Sequence, residues 1–428
     1  MKRGVRAIVY RAGAPVLFKK ADTPQSASGP RLSPVFRVTA AAGAALVLTA
    51  ALVTIATGAP LRAQRDAAHR GIAVFRTGDS YRQGSGYGRY DFLVIGYGDV
   101  QAATRTGARV LVYKTSSEVK PSPNADRGAA DSGVPYAQAA AQGWLLKDGA
   151  GKELQVTGSD WLGDVGSRGY QQAWLDNVSR WLRRHHAAGV FIDNVVCTLS
   201  GLTGGHYPAK YPSPAAWADA QASFIEYVGS RMKSMGLYVA LNAYCEGPDS
   251  GSSNNAWWSR LAPNVSGEST EYFEQNPNNP AQQYYDSPST SWLGNWAGKL
   301  NVLRVAQRHG RDAFAITAGT RDNTTLMTYA RASYLLVWNG RGGAFIYAPT
   351  DGSDPWNAAW TTPIGKPLRS MQRAGSLYFR RYSAGYVVVN PSLGAVTAPL
   401  PAGLKTLTGA AAGNSVQLAP TTAAIFRR

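Results

Sequence analysis

The sequence predicts an α/β fold, a (β/α)8 TIM barrel, with a small C-terminal antiparallel β domain and an N-terminal transmembrane or signal-anchor helix. Three observations predict it. Eight short apolar runs alternate with helical patterns between residues 72 and 350, the texture of a parallel sheet covered by helices. Beyond Met371 the helical patterns stop, and short strands follow one another at Gly, Pro and Asn turns. Ahead of both, residues 38–58 contain no charged side chain. The chain of 428 residues is only 16% charged and 44% hydrophobic, which excludes wholesale disorder.

The N-terminal part divides into a basic tail at 1–37, the apolar segment at 38–58 and a polar linker at 59–70. At 1.5 Å per residue the apolar segment matches a bilayer core. Lys2, Arg3, Arg6, Arg11, Lys19, Lys20, Arg31 and Arg37 precede it, opposed only by Asp22. Such a flank stays cytoplasmic, so the mass that follows is expected to be exported on a single-pass anchor in the cell membrane. Secretion after cleavage near Ala56-Thr57-Gly58 is the alternative. The formal net charge of +18 suggests an anionic partner, but no Lys/Arg-rich run with interleaved aromatics follows the tail, so nucleic-acid binding is not expected.

The strands of the barrel, assigned to residues 71–368, are expected at Ile72–Phe75, Phe92–Gly96, Val110–Tyr113, Val190–Ile192, Leu237–Leu241, Val265–Gly267, Ala313–Thr317 and Ala344–Tyr347. Several are unbroken apolar runs, as in strands buried on both faces. Between them Trp174, Val178, Trp181 and Leu182 share one helical face, as do Trp217, Phe224, Ile225, Val228 and Met232. An open doubly wound sheet is the rival, but no glycine-rich dinucleotide fingerprint follows the first strand. Residues 369–428 read as the β domain.

Catalytic side chains of such barrels project from the C-terminal strand ends. Strand four runs Gly189-Val190-Phe191-Ile192 straight into Asp193-Asn194. Strand six, read as ending at Gly267, delivers Glu268, with Glu271 following. Strands four and six are two apart around the ring, so Asp193 and Glu268 are expected to face one cavity. Two carboxyl groups flanking a scissile bond are what glycoside hydrolysis requires: one protonates the leaving oxygen, and the other attacks the anomeric carbon or activates water. Asp193 is the expected nucleophile or base and Glu268 the expected general acid. Tyr97, Asp99, Tyr113, Lys114, Glu118, Trp161, Asp164, Asn194, Asn242, Glu271, Tyr347, Asp351 and Trp356 are expected to line a sugar-binding mouth, with Trp257 and Trp258 as further stacking candidates. Cys197 and Cys245 follow adjacent strands and, in an exported protein, are expected to form a disulfide at the rim. No metal spacing and no phosphate loop is present, so no cofactor is expected.

The order Val110-Leu111-Val112-Tyr113 with Ser117-Glu118, then Trp161-Leu162-Gly163-Asp164, Gly189-Val190-Phe191-Ile192-Asp193-Asn194, Ala240-Leu241-Asn242 and Gly267-Glu268 resembles barrel glycoside hydrolases. It is similar, more distantly, to the endo-α-1,4-polygalactosaminidase family. The resemblance covers residues 72 to 350 and implies catalysis by the Asp after strand four and the Glu after strand six, here Asp193 and Glu268. It departs at Ser117-Glu118, where that family tends to have Gly-Glu, and in the long loop at 197–214. The expected function is hydrolysis of an extracellular or cell-surface polysaccharide by a monomer. A non-catalytic glycan-binding barrel is the alternative. A phosphodiesterase would want paired histidines at strand ends, and only His206 lies in a rim loop.

Overall fold

The computed structural model describes residues 71–76, 87–121, 127–130, 132–156, 160–245, 250–276, 279–287, 295–349 and 356–428. The segment at 38–58 lies outside these residues. Among the described residues, no helix is long and apolar enough to cross a membrane.

Eight parallel strands close into a barrel: β1 Ile72–Arg76, β2 Phe92–Ile95, β3 Arg109–Thr115, β4 Gly189–Val196, β5 Tyr238–Tyr244, β6 Gly267–Thr270, β7 Asp312–Gly319 and β8 Gly343–Pro349, each paired with its sequence neighbour and β8 with β1. Alternation divides every strand between two cores. Ala73, Phe75, Phe92, Val94, Leu111, Phe191, Ala240, Phe314, Ile316, Ala344 and Ile346 fill the interior. The intervening residues, such as Val74, Leu93, Val112, Ile192, Leu241 and Phe345, face the helix layer. That layer includes α1 Val100–Thr104, α2 Arg168–Arg184, α3 Pro214–Ser234, α4 Ser250–Leu261, α5 Trp296–Arg308 and α6 Thr324–Val337. The amphipathic faces behave as their spacing predicts: Trp174 and Trp217 are fully buried and Trp181 nearly so.

Seven strands fall on the expected runs. The sixth does not. The apolar pair at Val265-Ser266 suggests a strand ending at Gly267, whereas the paired strand begins there and continues through Glu268, Ser269 and Thr270. Local crowding explains it. Gly267 sits against the interior, where an added Cβ would lie 2.7 Å from the Phe314 ring and 2.9 Å from the Tyr238 hydroxyl. Only glycine lets β6 approach there, and the polar residues beyond it complete the ladder to β5 and β7.

Beyond the barrel, β9 Gln372–Ala374, β10 Leu377–Tyr382, β11 Gly385–Asn390 and β14 Thr422–Arg427 form a four-stranded antiparallel sheet, and β12 Val396–Pro399 pairs with β13 Ser415–Leu418. One face of the sheet has its own core of Leu377, Tyr386, Val388, Leu404 and Phe426. The other packs on the barrel through Arg380, whose guanidinium donates to the carbonyls of Leu335, Leu336 and Trp338 at the end of α6. A cation there satisfies orphan carbonyls and opposes the helix dipole.

Candidate active site

The residues at the C-terminal mouth are set by β4, β5 and β6. In β4, Phe191 faces the interior, so Asp193 two residues on does too. The ladder to β5 shifts register between Ile192 and Val195, and Asn194 takes a left-handed φ of 56°, a conformation asparagine tolerates better than most residues. The irregularity turns the Asn194 amide onto its neighbour's carboxylate. Asp193 Oδ1 accepts from the Asn194 N–H at 2.8 Å and from Asn242 Nδ2 at 2.8 Å. Oδ2 accepts from the Tyr113 hydroxyl at 2.5 Å. Burial raises the Asp193 pKa, and these three donations oppose it by binding the anion.

Glu271 is the second carboxyl group of the mouth. Parity again decides: Ala240 and Asn242 pair with Gly267 and Ser269, and the Ser269 hydroxyl donates to Asn242 Oδ1 at 3.3 Å. Positions 267 and 269 therefore share the inward side, and Glu271, just past the strand end, meets Asn242 and the charge of Asp193. The chain is held just past Glu271 by Lys299 of α5, whose Nζ donates to the Glu271 carbonyl at 2.8 Å. Left-handed Tyr272 and Glu274 turn the segment onto β7, where the Phe273 N–H donates to Ile316 and the Thr317 hydroxyl to Phe273. Burial, with the Asp193 charge added, pushes the Glu271 pKa up to about 8, although Asn242 and Lys299 pull it down.

Glu268 does not join them. It pairs with Leu241 and Ala313, both of the helix-facing core, and is 1% exposed. Neither carboxyl oxygen has a hydrogen-bond partner among the described residues, and burial pushes its pKa up to about 8. The expected pairing of Asp193 with Glu268 thus gives way to Asp193 with Glu271, because β6 starts at Gly267 rather than ending there.

The other expected residues separate in the same way. Glu118 joins the mouth: its Oε1 accepts from Asn194 Nδ2, and burial followed by the charge of Asp193 pushes its pKa up to about 7. Trp161 is half-buried, paired across a short ribbon with Val119, next to Glu118. Tyr97 and Asp99 are half-buried in the turn after β2. Asp164 is engaged by Lys210 and Tyr211, both at 2.6 Å, and ties the 197–214 loop to the barrel rather than facing a ligand. Lys114 and Tyr347 point the wrong way for the mouth. Lys114 Nζ donates to the Ala130 carbonyl, and the buried Tyr347 hydroxyl donates to Thr320, since both sit at outward parity. Trp356 lies under the Arg89 guanidinium and meets the Tyr90 ring edge-on. Trp257 and Trp258 are buried and donate to the carbonyls of Val195 and Ala243, so they pack rather than stack on sugar. Asp351 lies outside the described residues.

Two buried charged groups behind the mouth escape a reading by strand ends. Lys299 is fully buried, and desolvation lowers its pKa to about 7 against the charges of Glu274 and Glu271. Glu274 is fully buried with no hydrogen bond to its carboxyl group from a described residue, and desolvation raises its pKa well above the usual range. A lysine within a helix otherwise packed with Leu and Val was the signal available.

Cys197 and Cys245 form a disulfide with a Cα separation of 5.0 Å, joining the ends of β4 and β5 beside Asp193 and Asn242. It closes a loop of 48 residues. Reduction is expected to lower the unfolding free energy by about 4 kcal/mol, mainly by freeing the unfolded chain. Denaturant titrations with and without reductant measure this, and coincident curves would contradict it.

The model of the family described as hypothetical glycosyl hydrolase family 15 matches residues 103–386, about two thirds of the chain, from β3 through β8 of the barrel and into the C-terminal sheet. The chain belongs to that family. This member of the hypothetical glycosyl hydrolase family 15 is a (β/α)8 glycoside hydrolase. No curated protein sequence matches it. Among solved structures it is similar to a γ-CGTase from alkalophilic Bacillus clarkii, at 12% identity and a TM-score of 0.45, covering 80% of this chain and 62% of that one. It is also similar to an α-amylase from Malbranchea cinnamomea, at 12% identity and a TM-score of 0.42, covering 84% and 96%. A third is the trehalose-6-phosphate hydrolase of Bacillus licheniformis, at 8% identity and a TM-score of 0.47, covering 84% and 99%.

Proposed function

We propose that this glycoside hydrolase cleaves an extracellular or cell-surface polysaccharide with Asp193 as nucleophile or base and Glu271 as general acid. The observation that carries the reading is the contrast between two neighbouring carboxyl groups. Asp193 is met by three donors, which fit an anion. Glu271 sits where burial and the Asp193 charge favour the protonated form. One proton shared unequally between two acids at one mouth gives an acid and a base at neutral pH. Glu271 would protonate the departing oxygen while Asp193 attacks the anomeric carbon or activates water. Asn242, which hydrogen-bonds both carboxyl groups, keeps them in register. Glu118 and Trp161 would contact the sugar beside them.

The enzyme acts as a monomer, held on the outer face of the cell membrane by residues 38–58, with the basic tail inside; the sequence of that segment supports the anchor. Incubating the protein with a panel of neutral, cationic and anionic polysaccharides and reading the products by mass spectrometry tests the activity. New reducing ends from one member support it. Binding without cleavage across the panel would leave a glycan-binding barrel instead.

Tyr113→Phe tests the base. Losing a hydrogen bond to a charged group, worth about 1.5–3 kcal/mol, is expected to lower kcat/KM by about 10- to 100-fold. Because that bond lowers the Asp193 pKa, the acid limb of the pH profile should move to higher pH. An unaltered profile would remove Tyr113 from the site.

A further inference from the structure

Charge is segregated along the chain. Residues 71–355 carry 25 basic against 24 acidic side chains, whereas residues 356–428 carry eight basic and none acidic. Compositional drift toward arginine would have touched both parts. The fold then gathers five of the eight at one end of the C-terminal sheet, around the β10–β11 hairpin. Arg381 pairs with Tyr386 across that hairpin, and Arg427 with Gly385. The Ser383 N–H donates to the Lys366 carbonyl, and the Arg428 N–H to Ala384. Lys405 and Arg427 exchange both backbone hydrogen bonds. Five backbone segments thus lie side by side over about 19 Å at about 4.8 Å per step, four of them carrying the cations, with Arg381 on the Tyr386 face and Arg427 and Lys405 on the opposite one, so the row borders the sheet end from both faces. Lys366, Arg381, Lys405 and Arg428 are exposed. None of the five forms an ion pair with a described residue.

We propose that this row is a docking surface for a linear anionic glycan, one bearing uronate, sulfate or phosphate groups along its length. Cations along one sheet end, with no ion-pair partner among the described residues, give a positive potential that a polyanion meets at several points at once. A line of charge one sheet deep suits a polymer better than a bilayer. Lipid binding calls for a broad face with several inserted apolar side chains, and Leu368 alone, 57% exposed with its N–H on the Arg381 carbonyl, stands beside the row. The mouth of the barrel, lined by the carboxyl groups of Asp193, Glu271 and Glu118, offers an anionic strand no such attraction. The row is therefore a holdfast on the surface where the enzyme works rather than part of its cleft, and it does not depend on how the cleft acts.

Full-length protein in zwitterionic-lipid nanodiscs, which occupy any membrane segment, is passed over immobilised polygalacturonate and over neutral dextran, and eluted with KCl. Retention on polygalacturonate alone is expected. Lys366→Glu/Arg381→Glu/Lys405→Glu, all exposed positions, should weaken binding by at least about tenfold near 0.1 M salt, where the Debye length is about 10 Å. The triple glutamine version should be intermediate. Arg180→Glu/Arg183→Glu/Arg184→Glu on α2 changes net charge equally and should be retained like the parent. The proposal is overturned if the sheet variant elutes with the parent, if the α2 control weakens as much, or if nanodiscs of anionic lipid abolish capture of the parent.

Discussion

Asp193→Asn is expected to lower glycosidase turnover by about 10⁴-fold or more, the scale on which removal of a nucleophile or base is felt. The substitution is close to isosteric, and the site can accommodate it. With its amide oxygen toward Asn194 N–H and Asn242 Nδ2, the new NH2 meets the Tyr113 hydroxyl, which can turn from donor to acceptor. Thermal unfolding should therefore stay close to that of the parent, and glycan binding should survive. Reducing-end release from the polysaccharide that the parent cleaves, with a melting curve on the same sample, checks both halves. Turnover near the parental level would remove Asp193 from the chemistry.

Glu271→Gln and Glu268→Gln should behave oppositely. Glutamine at 271 cannot donate a proton to a leaving oxygen, so kcat/KM should fall by about 10²- to 10⁴-fold, the usual contribution of a positioned acid. The alkaline limb, set by a group raised to about 8, should disappear from what activity is left. Glu268→Gln should leave turnover intact, because that side chain faces the helix layer. Its effect belongs to stability. Burial favours protonated Glu268 in the folded chain up to about pH 8, while the unfolded chain ionises near 4.5. Stability is thus lost as pH rises through that window, and glutamine, which cannot ionise, should remove the loss. Melting temperatures from pH 5 to 9 should decline less steeply in the variant. Inactivation by Glu268→Gln with normal melting would reverse the assignment.

Much of the barrel was legible because its signal is local. A parallel strand covered on both faces needs four or five apolar residues in a row, and Phe92–Ile95 or Ala344–Tyr347 supply them with no knowledge of their neighbours. Asp193 was legible for the same reason, as a carboxylate ending such a run. Strand six was not. Its paired residues are Gly267, Glu268, Ser269 and Thr270, without one large apolar side chain, because glycine makes room for Phe314 and Tyr238 and the rest hydrogen-bond at the rim. Glu268 falls inside this strand, at the outward position between Gly267 and Ser269, rather than at its end, so the mouth receives Glu271 instead. The same rule misassigned Lys114 and Tyr347, whose positions at strand ends were right and whose sides were wrong.

Sequence by itself determined the eight-fold alternation, the carboxylate after the fourth strand, the pair of cysteines and the glycoside hydrolase class they pointed to. Those features rest on residue type and near-neighbour spacing, which folding preserves. Tertiary structure decided which of two glutamates faces the mouth, which tryptophans pack, and that five scattered cations share one sheet end. These depend on ladder register, and register is fixed by side chains tens to hundreds of positions apart in the chain meeting in one core.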